Sequence, residues 1–416
     1  MTLRPVRGTK DILPEDYYLF NKIINSAQKI ANRYCFENYS TPIFEYTKVF
    51  DRTLGETSDV VNKEMYSFTD RNGDSITLRP EFTASIVRSV ISEGLLSRLP
   101  LKLFSFGPLF RYDRPQAGRQ RQFHQINFEI LGETSYSSDA EMVKIGYDIL
   151  KELGIEEDVR IEINSLGSTD TRNSYNLHLK EFFKKYESSL SEESKSRLDK
   201  NPMRILDSKN PEDQKIVASA PKISEFYDAS SKERFEKSQE MLSNLNIPFE
   251  VNPRLVRGLD YYCHTAFEYV TSKIGAQSSV GGGGRYDGLA KILSDKEIPA
   301  VGFACGIERL MLLLKDKYIY KKSNIVILPI TESEVNHSYF IAAKLREFDI
   351  PVNIFETGKV GKRIERASKE GARYAIFIGE NEAQSSMYKI KDLASGDESC
   401  AHLEKIIQKF KEEFQC

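Results

Sequence analysis

Apolar residues recur with a helical spacing in one part of the chain and with a strand spacing in others. Between residues 20 and 34 they lie three and four positions apart, which predicts an amphipathic helix after an extended N-terminal arm, residues 4–14. The stretch from Asp74 to Arg79 alternates as a strand. Tyr39 to Glu45 reads as a short strand at a sheet edge or at another surface, because Pro42 cannot donate to a sheet ladder.

A long β-hairpin is predicted from Leu103 to Gly132. Two apolar stretches flank a polar, arginine-rich loop that contains Pro115 and Gly118. Because successive side chains of a strand point to opposite faces, the returning strand separates an apolar face from a polar one. The apolar face carries His124, Ile126, Phe128 and Ile130, and the polar face carries Gln125, Asn127 and Glu129. A solvated polar face and a cavity shared with the loop arginines both fit this pattern.

The middle of the chain changes character. Ser138 to Leu153 is predicted to be a helix and Val159 to Ile163 a strand. From about residue 168 to 232 the composition shifts to Ser, Lys and Glu with few aliphatic residues, and Asn-Pro pairs interrupt it. This favours a small helical insertion standing off the main body. Its charged helices are typical of solvated faces, and contact with an RNA acceptor stem is the alternative.

A domain boundary is predicted at Lys321-Lys322-Ser323, which separates residues 1–322 from residues 323–416. Beyond it, short apolar runs alternate with helical stretches, so a small α/β domain with parallel strand pairs follows. Positive charge concentrates around one predicted helix of this domain, at Lys359, Lys362, Arg363, Arg366, Lys369 and Arg373. Such a helix is either solvated or in contact with RNA phosphates.

Composition narrows the class of protein. A chain of 416 residues predicts two or three domains, and 59 basic against 61 acidic residues exclude a generally basic nucleic-acid coat. The five cysteines form no CxxC pair, which fits reduced thiols and predicts neither a metal site nor a disulfide framework. No apolar run reaches 18 residues and the N-terminus lacks an apolar signal core. A soluble, cytoplasmic protein without a membrane partner is therefore expected.

Two segments carry candidate chemistry. Leu255 to Tyr262 combines Arg257 with Asp260 and two tyrosines, and Gly281 to Gly288 contains four consecutive glycines. Arginine offers a planar donor fork to phosphate or carboxylate oxygens, and glycines let the backbone approach a ligand closely. Taken alone, a glycine run is also typical of a hairpin turn, and paired tyrosines are typical of a core.

A third arginine follows a strand of small residues. Ala300 to Gly306 leads into a helix whose apolar stripe leaves Arg309 on another face, near the helix start. A second helix is predicted to begin near Pro80 or Glu81, since proline is favoured in the first helical turn. From these patterns alone, Arg309 is either a functional residue or a plain surface arginine. Glu81 is either a functional residue or a charge that compensates the helix dipole.

Together, these segments resemble histidyl-tRNA synthetases, a family of class II aminoacyl-tRNA synthetases. The resemblance covers nearly the whole chain. It implies an α+β fold with an antiparallel catalytic sheet and helices, the helical insertion, and a C-terminal α/β anticodon-binding domain. It also implies a homodimer whose interface includes the Pro42 segment, although a plain edge strand fits that segment equally well.

The resemblance assigns the ATP-binding residues. Arg111 would bridge the substrate carboxylate and the α-phosphate, Arg257 would stabilise the developing charge, and Arg309 would hold the γ-phosphate. Arg119 belongs to the same set. Asp113 stands where the family usually has glutamate beside the adenine, which leaves its exact contact in doubt while keeping the charge.

The resemblance also assigns the histidine and RNA sites. Glu129 and Tyr262 would meet the two imidazole nitrogens, with Tyr261 and Tyr286 beside them. Residues implied for the ammonium group are Glu81, Thr83 and Gln125, and those implied for the tRNA end are Arg114 and Gln116.

Cys263 and His264 are not expected to act as nucleophile and base, because neighbours on a strand point to opposite faces. His124 is expected to be a core histidine.

The expected activity is that of a histidine–tRNA ligase. It activates L-histidine with ATP and Mg²⁺ to histidyl-adenylate, releases pyrophosphate, and transfers histidine to the 3′ end of tRNA(His). Three alternatives share this scaffold: a histidine-binding regulatory subunit of ATP phosphoribosyltransferase, a sensor of uncharged tRNA, and a sister synthetase. The first lacks the C-terminal domain, the second carries a kinase segment, and Glu129 with the Arg257–Tyr262 segment disfavours the third.

Overall fold

The computed structural model describes residues 3–55, 60–275, 279–318 and 324–414. The chain divides into two compact units, residues 1–318 and 319–416. The boundary predicted at residues 321–323 lies outside the described residues, so the division at residue 322 stays a prediction. None of the helices described is long and apolar enough to cross a membrane.

The first unit is built on sheets covered by helices. Its strands are β1 (Glu37–Asn38), β2 (Phe44–Tyr46), β3 (Tyr66–Thr69), β4 (Ser75–Leu78), β5 (Leu101–Phe110), β6 (Gln122–Leu131), β7 (Arg160–Ser165), β8 (Glu250–Val251), β9 (Cys263–Val270), β10 (Ser279–Arg285) and β11 (Ala300–Gly306). Its α-helices are α1 (Pro14–Arg33), α2 (Lys48–Thr53), α3 (Thr83–Ser92), α4 (Tyr136–Glu152), α5 (Thr169–Lys184), α6 (Glu192–Leu198), α7 (Pro211–Val217), α8 (Ala229–Asn244), α9 (Leu289–Leu293) and α10 (Ile307–Leu314).

Eight strands form the central sheet in the order β1-β5-β6-β11-β10-β9-β7-β8. The five inner pairings are antiparallel, and only the two edge pairs, β1 with β5 and β7 with β8, are parallel. A separate three-stranded sheet has the order β2-β4-β3. The predicted α+β fold with a mostly antiparallel catalytic sheet is confirmed.

The predicted hairpin is present as β5 and β6, with Leu103 opposite Glu129. Its apolar face joins the core, where the rings of Phe128 and Phe303 stack with centroids 5.2 Å apart. Helix α1 covers this face with Ile23 and Ala27, both fully buried. The hydrophobic contacts therefore fix the sheet so that Glu129 lies on the opposite, polar face of β6.

Two predicted elements are shorter than expected. The strand predicted from residue 39 to 45 is reduced to Phe44–Tyr46, and Pro42 lies outside it, which agrees with its missing donor. The helix predicted from residue 80 or 81 begins only at Thr83. The Glu81 carboxylate accepts hydrogen bonds from the backbone N–H groups of Thr83 and Ala84, both at 2.7 Å. Glu81 therefore satisfies N–H groups that the first helical turn leaves without partners.

The four consecutive glycines form neither a turn nor a loop. They lie inside β10, between β9 and β11. A Cβ atom on Gly283 would come within 2.0 Å of the Gly302 carbonyl oxygen, and one on Gly282 within 2.8 Å of Arg257 Nη1. Glycine is required here because the neighbouring strand and the Arg257 guanidinium occupy the space of a side chain.

The helical insertion is present, but the prediction that it stands off the main body is wrong. Tyr175, Leu179 and Phe183 follow one another four residues apart on α5 and are fully buried. They belong to the same hydrophobic cluster as Tyr262 and Leu166 of the main body. The few apolar residues of this segment share one helix face, which is sufficient to anchor it.

The second unit is the predicted small α/β domain. Its sheet has the order β13-β12-β14-β15-β16, with β12 parallel to both β13 and β14. The strands are β12 (Ile325–Pro329), β13 (Val352–Ile354), β14 (Tyr374–Ile378), β15 (Met387–Asp392) and β16 (Glu398–His402). The helices are α11 (Val335–Arg346), α12 (Val360–Lys369), α13 (Glu380–Ser385) and α14 (Leu403–Phe414).

The basic helix of this unit is α12, and some of its charged side chains are already paired with groups of the same unit. Arg363 is buried and donates to the carbonyl oxygens of Pro329 and Phe355 at 2.7 and 2.8 Å. Arg366 pairs with Glu370 one helical turn later. The positive stripe read from the sequence therefore overstates the charge that α12 offers to a phosphate.

Candidate active site

Glu129 is the centre of the buried polar cluster on β6. Its side chain is fully buried, and it accepts hydrogen bonds from Thr83 Oγ1 at 2.6 Å, from Asn127 Nδ2 at 3.0 Å and from the Tyr286 hydroxyl. Burial raises the pKa of Glu129 to about 7, although these hydrogen bonds oppose the shift. Near neutral pH the carboxyl is therefore poised between its neutral and charged forms, and a cationic ligand would favour the charged one.

Three tyrosines form one wall beside Glu129. The ring centroids of Tyr261 and Tyr262 are 4.6 Å apart, and that of Tyr286 lies 5.6 Å from Tyr261 and 6.5 Å from Tyr262. All three side chains are buried. Glu129 and Tyr262 therefore belong to a single cluster, with Tyr286 connecting them.

Arg257 lies above this wall. Its guanidinium is 5.5 Å from the ring centroid of Tyr262 and forms an ion pair with Glu268 of β9. Glu268 is one of the residues that sequence reasoning missed, and Asn127 as a partner of Glu129 is another. The alternation of β9 marks Glu268 as polar, but nothing in the sequence pairs a strand residue with an arginine 11 positions earlier in an irregular segment.

Arg111 and Arg309 belong to a second group of cations, which Arg119 completes. Burial, and then the charges of Arg119 and Arg111, lower the pKa of the Arg309 guanidinium to about 10, while Glu268 acts in the opposite direction. Arg309 Nη1 donates to the Ser279 carbonyl oxygen at 2.6 Å, and Arg111 Nε donates to that of Pro80 at 2.9 Å. Cations that repel one another in this way favour an anion among them.

The hairpin loop carries the remaining predicted residues. Asp113 and Arg119 form an ion pair at 3.0 Å, whereas Arg114 and Gln116 are exposed. Gln125 is half-buried on β6 between Gly107 and Gly306 of the adjacent strands. The structure thus places the predicted histidine and ATP residues around one region of the polar face, and their individual roles stay predictions.

The geometry of Cys263 and His264 differs from the prediction. His264 adopts φ 46° and the pairing of β9 with β10 shifts register there, so the two side chains do not point apart. Their ligand atoms and that of Asp287 lie within 4.8 Å of one another, the one such group in the described part of the chain. Asp287 Oδ1 already accepts from Arg285 and from the Ala300 N–H, and burial raises the pKa of the Cys263 thiol to about 11. The expected absence of a metal site stays a prediction.

The neighbouring arginine, Arg285, is structural. It is fully buried and pairs with Asp139 at 2.6 Å and with Asp287 at 2.9 Å. His124, the other histidine considered, is half-buried, hydrogen-bonded to Glu308 and in edge contact with Phe20. These partners of Arg285 and His124 lie outside the Glu129 cluster, which agrees with a role in packing.

A single methyl group at Gly302 is expected to disturb the cluster. A Cβ atom there would lie 1.5 Å from Glu129 Oε2, so Gly302→Ala displaces the carboxylate. Since overpacking typically costs about 1–3 kcal/mol, we expect a lower melting temperature and weaker histidine binding. Calorimetry of this variant checks both expectations. Gly288→Ala is the matched control, because a Cβ atom added there would meet no other atom within 4 Å. Equal behaviour of the two variants would contradict the prediction.

Comparison with known proteins decides the family. The family model "Histidyl-tRNA synthetase" matches residues 8–310, and the model "Anticodon binding domain" matches residues 324–413. The chain belongs to the histidyl-tRNA synthetase family. Bacterial relatives are close in sequence: the histidine–tRNA ligase of Rickettsia bellii is 52% identical over 98% of this chain and 99% of its own length. That of Rickettsia prowazekii is 50% identical over 99% of both.

Solved structures agree with this membership. The apo histidyl-tRNA synthetase of Staphylococcus aureus is 32% identical, with a TM-score of 0.81 over 99% of this chain and all of that one. A Bacillus halodurans protein described as an ATP phosphoribosyltransferase regulatory subunit/histidyl-tRNA synthetase is 21% identical with a TM-score of 0.68, which shows a common fold only. The resemblance to histidyl-tRNA synthetases inferred from the sequence is confirmed.

Proposed function

We propose that this histidyl-tRNA synthetase is a histidine–tRNA ligase that acts in two steps at the polar face of β6, β9 and β10. In the first, a carboxylate oxygen of L-histidine attacks the α-phosphorus of ATP, which enters with Mg²⁺, and pyrophosphate leaves. In the second, a ribose hydroxyl at the 3′ end of tRNA(His) attacks the adenylate carbonyl, and AMP leaves. The observation that carries the proposal is the buried carboxylate of Glu129, hydrogen-bonded to Thr83 and to Tyr286 of the tyrosine wall. The charges of Arg111 and Arg119, which act on Arg309, support it.

Positioning and charge supply most of the first step. Two anions, the histidine carboxylate and the α-phosphate, must approach each other, and negative charge grows on the phosphoryl oxygens during attack. Arg111 bridges the two anions, Arg257 stabilises the growing charge and Arg309 holds the γ-phosphate. Arg119 and Asp113 bind the nucleotide from the hairpin loop. Preorganised cations in a site with little water stabilise such charge more strongly than water does.

Selection of histidine is a matter of pairing both imidazole nitrogens. Neutral imidazole has one donor and one acceptor nitrogen. Glu129 accepts a hydrogen bond from one nitrogen. The phenol of Tyr262, with Tyr261 and Tyr286 beside it, meets the other nitrogen. An apolar side chain of similar size would leave these buried groups unpaired, which supports discrimination of roughly 10⁴-fold. Glu81, Thr83 and Gln125 receive the ammonium group.

The tRNA is bound by two parts of the chain. The exposed side chains of Arg114 and Gln116 on the hairpin loop contact the acceptor end, and residues 323–416 bind the anticodon region. We expect a chain that ends at residue 318 to keep ATP–pyrophosphate exchange and to lose tRNA charging, because the first unit has its own hydrophobic cores. Exchange and charging assays on the same preparation check this. Charging at the full-length rate would remove the proposed role of the C-terminal domain.

A homodimer is supported by an apolar surface on the three-stranded sheet. Tyr46 and Phe68 both pair with Ile76 and lie in one row, 53% and 50% exposed. Phe44 is 56% exposed on the same strand as Tyr46. Clustered exposed aromatic residues are typical of protein interfaces. Sedimentation equilibrium tests for the predicted dimer, and a monomer at micromolar concentration would contradict it.

Participation in translation and four free thiols among the described residues support a cytoplasmic location.

ATP–pyrophosphate exchange with each amino acid in turn is the test of the proposed function. We expect exchange with histidine alone. Exchange driven by another amino acid would favour a sister synthetase. Histidine binding without exchange would favour a regulatory subunit or a tRNA sensor, the two alternatives that share this scaffold.

A further inference from the structure

The segment that carries Arg257 and the tyrosines lies outside the sheet ladder. Strand β8 ends at Val251 and β9 begins at Cys263. The Asn252 N–H still donates to the Ile163 carbonyl oxygen of β7 at 2.9 Å, but residues 253–262 belong to no strand. Buried carbonyl groups need donors from elsewhere, since an unpaired one costs about 1–3 kcal/mol. Side chains from other parts of the chain supply such donors, as Asn164 Nδ2 of β7 does for the Leu255 carbonyl oxygen at 2.9 Å.

The helical insertion supplies donors to residues 257, 260 and 262. Arg172, in the first turn of α5, donates from Nη1 to the carbonyl oxygens of Asp260 at 3.2 Å and of Tyr262 at 2.5 Å. Arg204 Nη1 donates to the carbonyl oxygen of Arg257 at 3.1 Å. Asn201 donates to the Asp260 carboxylate at 2.9 Å. Three insertion side chains therefore hold the segment at three points.

We infer that the insertion is a positioning element of the active site, and that Arg172 is its main positioning residue. This inference rests on the proposed function. One guanidinium fixes the backbone of residues 260 and 262, between which the Tyr261 ring is attached. The orientation of both tyrosine rings towards Tyr286 and Glu129 then depends on a residue that does not itself line the cluster.

The expected kinetic consequence is specific to histidine. Arg172 holds the tyrosine end of the segment, whereas the phosphate end is held by the Arg257–Glu268 ion pair. Loss of the Arg172 contacts should therefore raise KM for histidine while KM for ATP stays nearly constant. A displacement of about 1 Å in a binding group can cost up to about a hundredfold in rate. We therefore expect KM for histidine to rise about tenfold or more.

Arg254 provides a matched control. It also contacts the insertion, through the main-chain carbonyl groups of Pro221, Ala218 and Ala220 at 3.1, 3.1 and 2.7 Å, but here the donor belongs to the 252–262 segment and the acceptors to the insertion. Arg254→Ala loosens the insertion without removing a donor to residues 257–262. A purely structural role for Arg172 predicts the same behaviour in both variants.

The test measures ATP–pyrophosphate exchange in the full chain for Arg172→Ala, Arg172→Lys and Arg254→Ala, together with their melting temperatures. We expect a raised histidine KM in Arg172→Ala, a smaller rise in Arg172→Lys because lysine cannot reproduce the planar fork, and near wild-type KM in Arg254→Ala. If the alanine variant does not fold, the lysine variant gives the same comparison. An unchanged histidine KM, or equal changes in Arg172 and Arg254 variants, would overturn the inference. Lack of histidine-dependent exchange in the wild type would instead overturn the proposed function.

Discussion

Replacing Arg257 with alanine is expected to lower the rate of histidine-dependent ATP–pyrophosphate exchange by about a hundredfold to a thousandfold. Arg257 is the cation whose guanidinium lies over Tyr262, and its ion-pair partner Glu268 also acts on Arg309. In the proposed reaction it meets charge that exists only during attack on the α-phosphorus. Its loss should therefore lower kcat far more than it raises KM for ATP.

The ion pair with Glu268 complicates a simple alanine variant. Glu268 is buried enough that its pKa is raised, and Arg257 opposes that shift, so removal of the arginine leaves a carboxyl group without its partner. Arg257→Ala combined with Glu268→Gln removes this complication. Glu268→Gln alone is the control, since it keeps the guanidinium. We expect a slow double variant and a far more active single one. An active double variant would exclude the proposed role of Arg257.

Much of the fold follows from local patterns. The period-two alternation of residues 122–131 places Glu129 and Phe128 on different faces of the strand, and the hairpin forms as predicted. The helical spacing of residues 20–34 yields α1 with its predicted buried face. The second unit also follows, because buried parallel strands read as short apolar runs between helices. The patterns that predict these elements each lie within a short stretch of the chain.

The errors concern interactions over long sequence separations. The polar composition of the insertion predicts that it stands apart, but a few aromatic and aliphatic residues on one face of α5 suffice to dock it. The glycine run is ambiguous in the sequence because a strand interior and a turn both accept glycine. Only the contacts of Gly282 with Arg257 and of Gly283 with Gly302 show why side chains are excluded.

The candidate site shows the same division. Resemblance to a family assigns its residues, and the structure brings Glu129, Thr83 and Tyr286 into hydrogen-bond contact. Partners of those residues cannot be read from the sequence. Glu268 and Asn127 are polar residues on strands whose neighbours are set by the sheet order, and alternation alone predicts a face but no partner. The bulge at His264 is similar, since a register shift leaves no trace in an alternating pattern.

Glu129→Gln is expected to weaken histidine binding and to stabilise the fold. A neutral amide keeps the shape of the side chain but loses a charged hydrogen bond to the imidazole. Such bonds contribute about 1.5–3 kcal/mol, so we expect KM for histidine to rise about tenfold to a hundredfold while KM for ATP changes little. Exchange kinetics with histidine and ATP varied separately check this. Glu297→Gln is the matched control, because it makes the same chemical change in an exposed side chain that pairs with Lys291.

The stability of the same variant tests the electrostatics independently of activity. The pKa of Glu129 is about 7 in the folded protein against an ordinary value of 4.5. A raised carboxyl pKa means that the folded state binds the proton more tightly than the unfolded state does. The contribution of Glu129 to stability is therefore most favourable below about pH 4.5 and is lost as the pH rises through about 7. Glutamine has no proton to lose and should show no such decline.

We therefore expect the stability difference between Glu129→Gln and wild type to grow as the pH rises from about 5 to about 8, by on the order of 2–3 kcal/mol. Chemical denaturation at several pH values without histidine measures this difference. Added histidine should reduce it, because an imidazole N–H that donates to Glu129 favours the charged carboxylate in the wild type, whereas the variant binds histidine weakly. A difference that stays constant with pH would mean that Glu129 is ionised throughout, and its hydrogen bonds from Thr83, Asn127 and Tyr286 would then outweigh its burial.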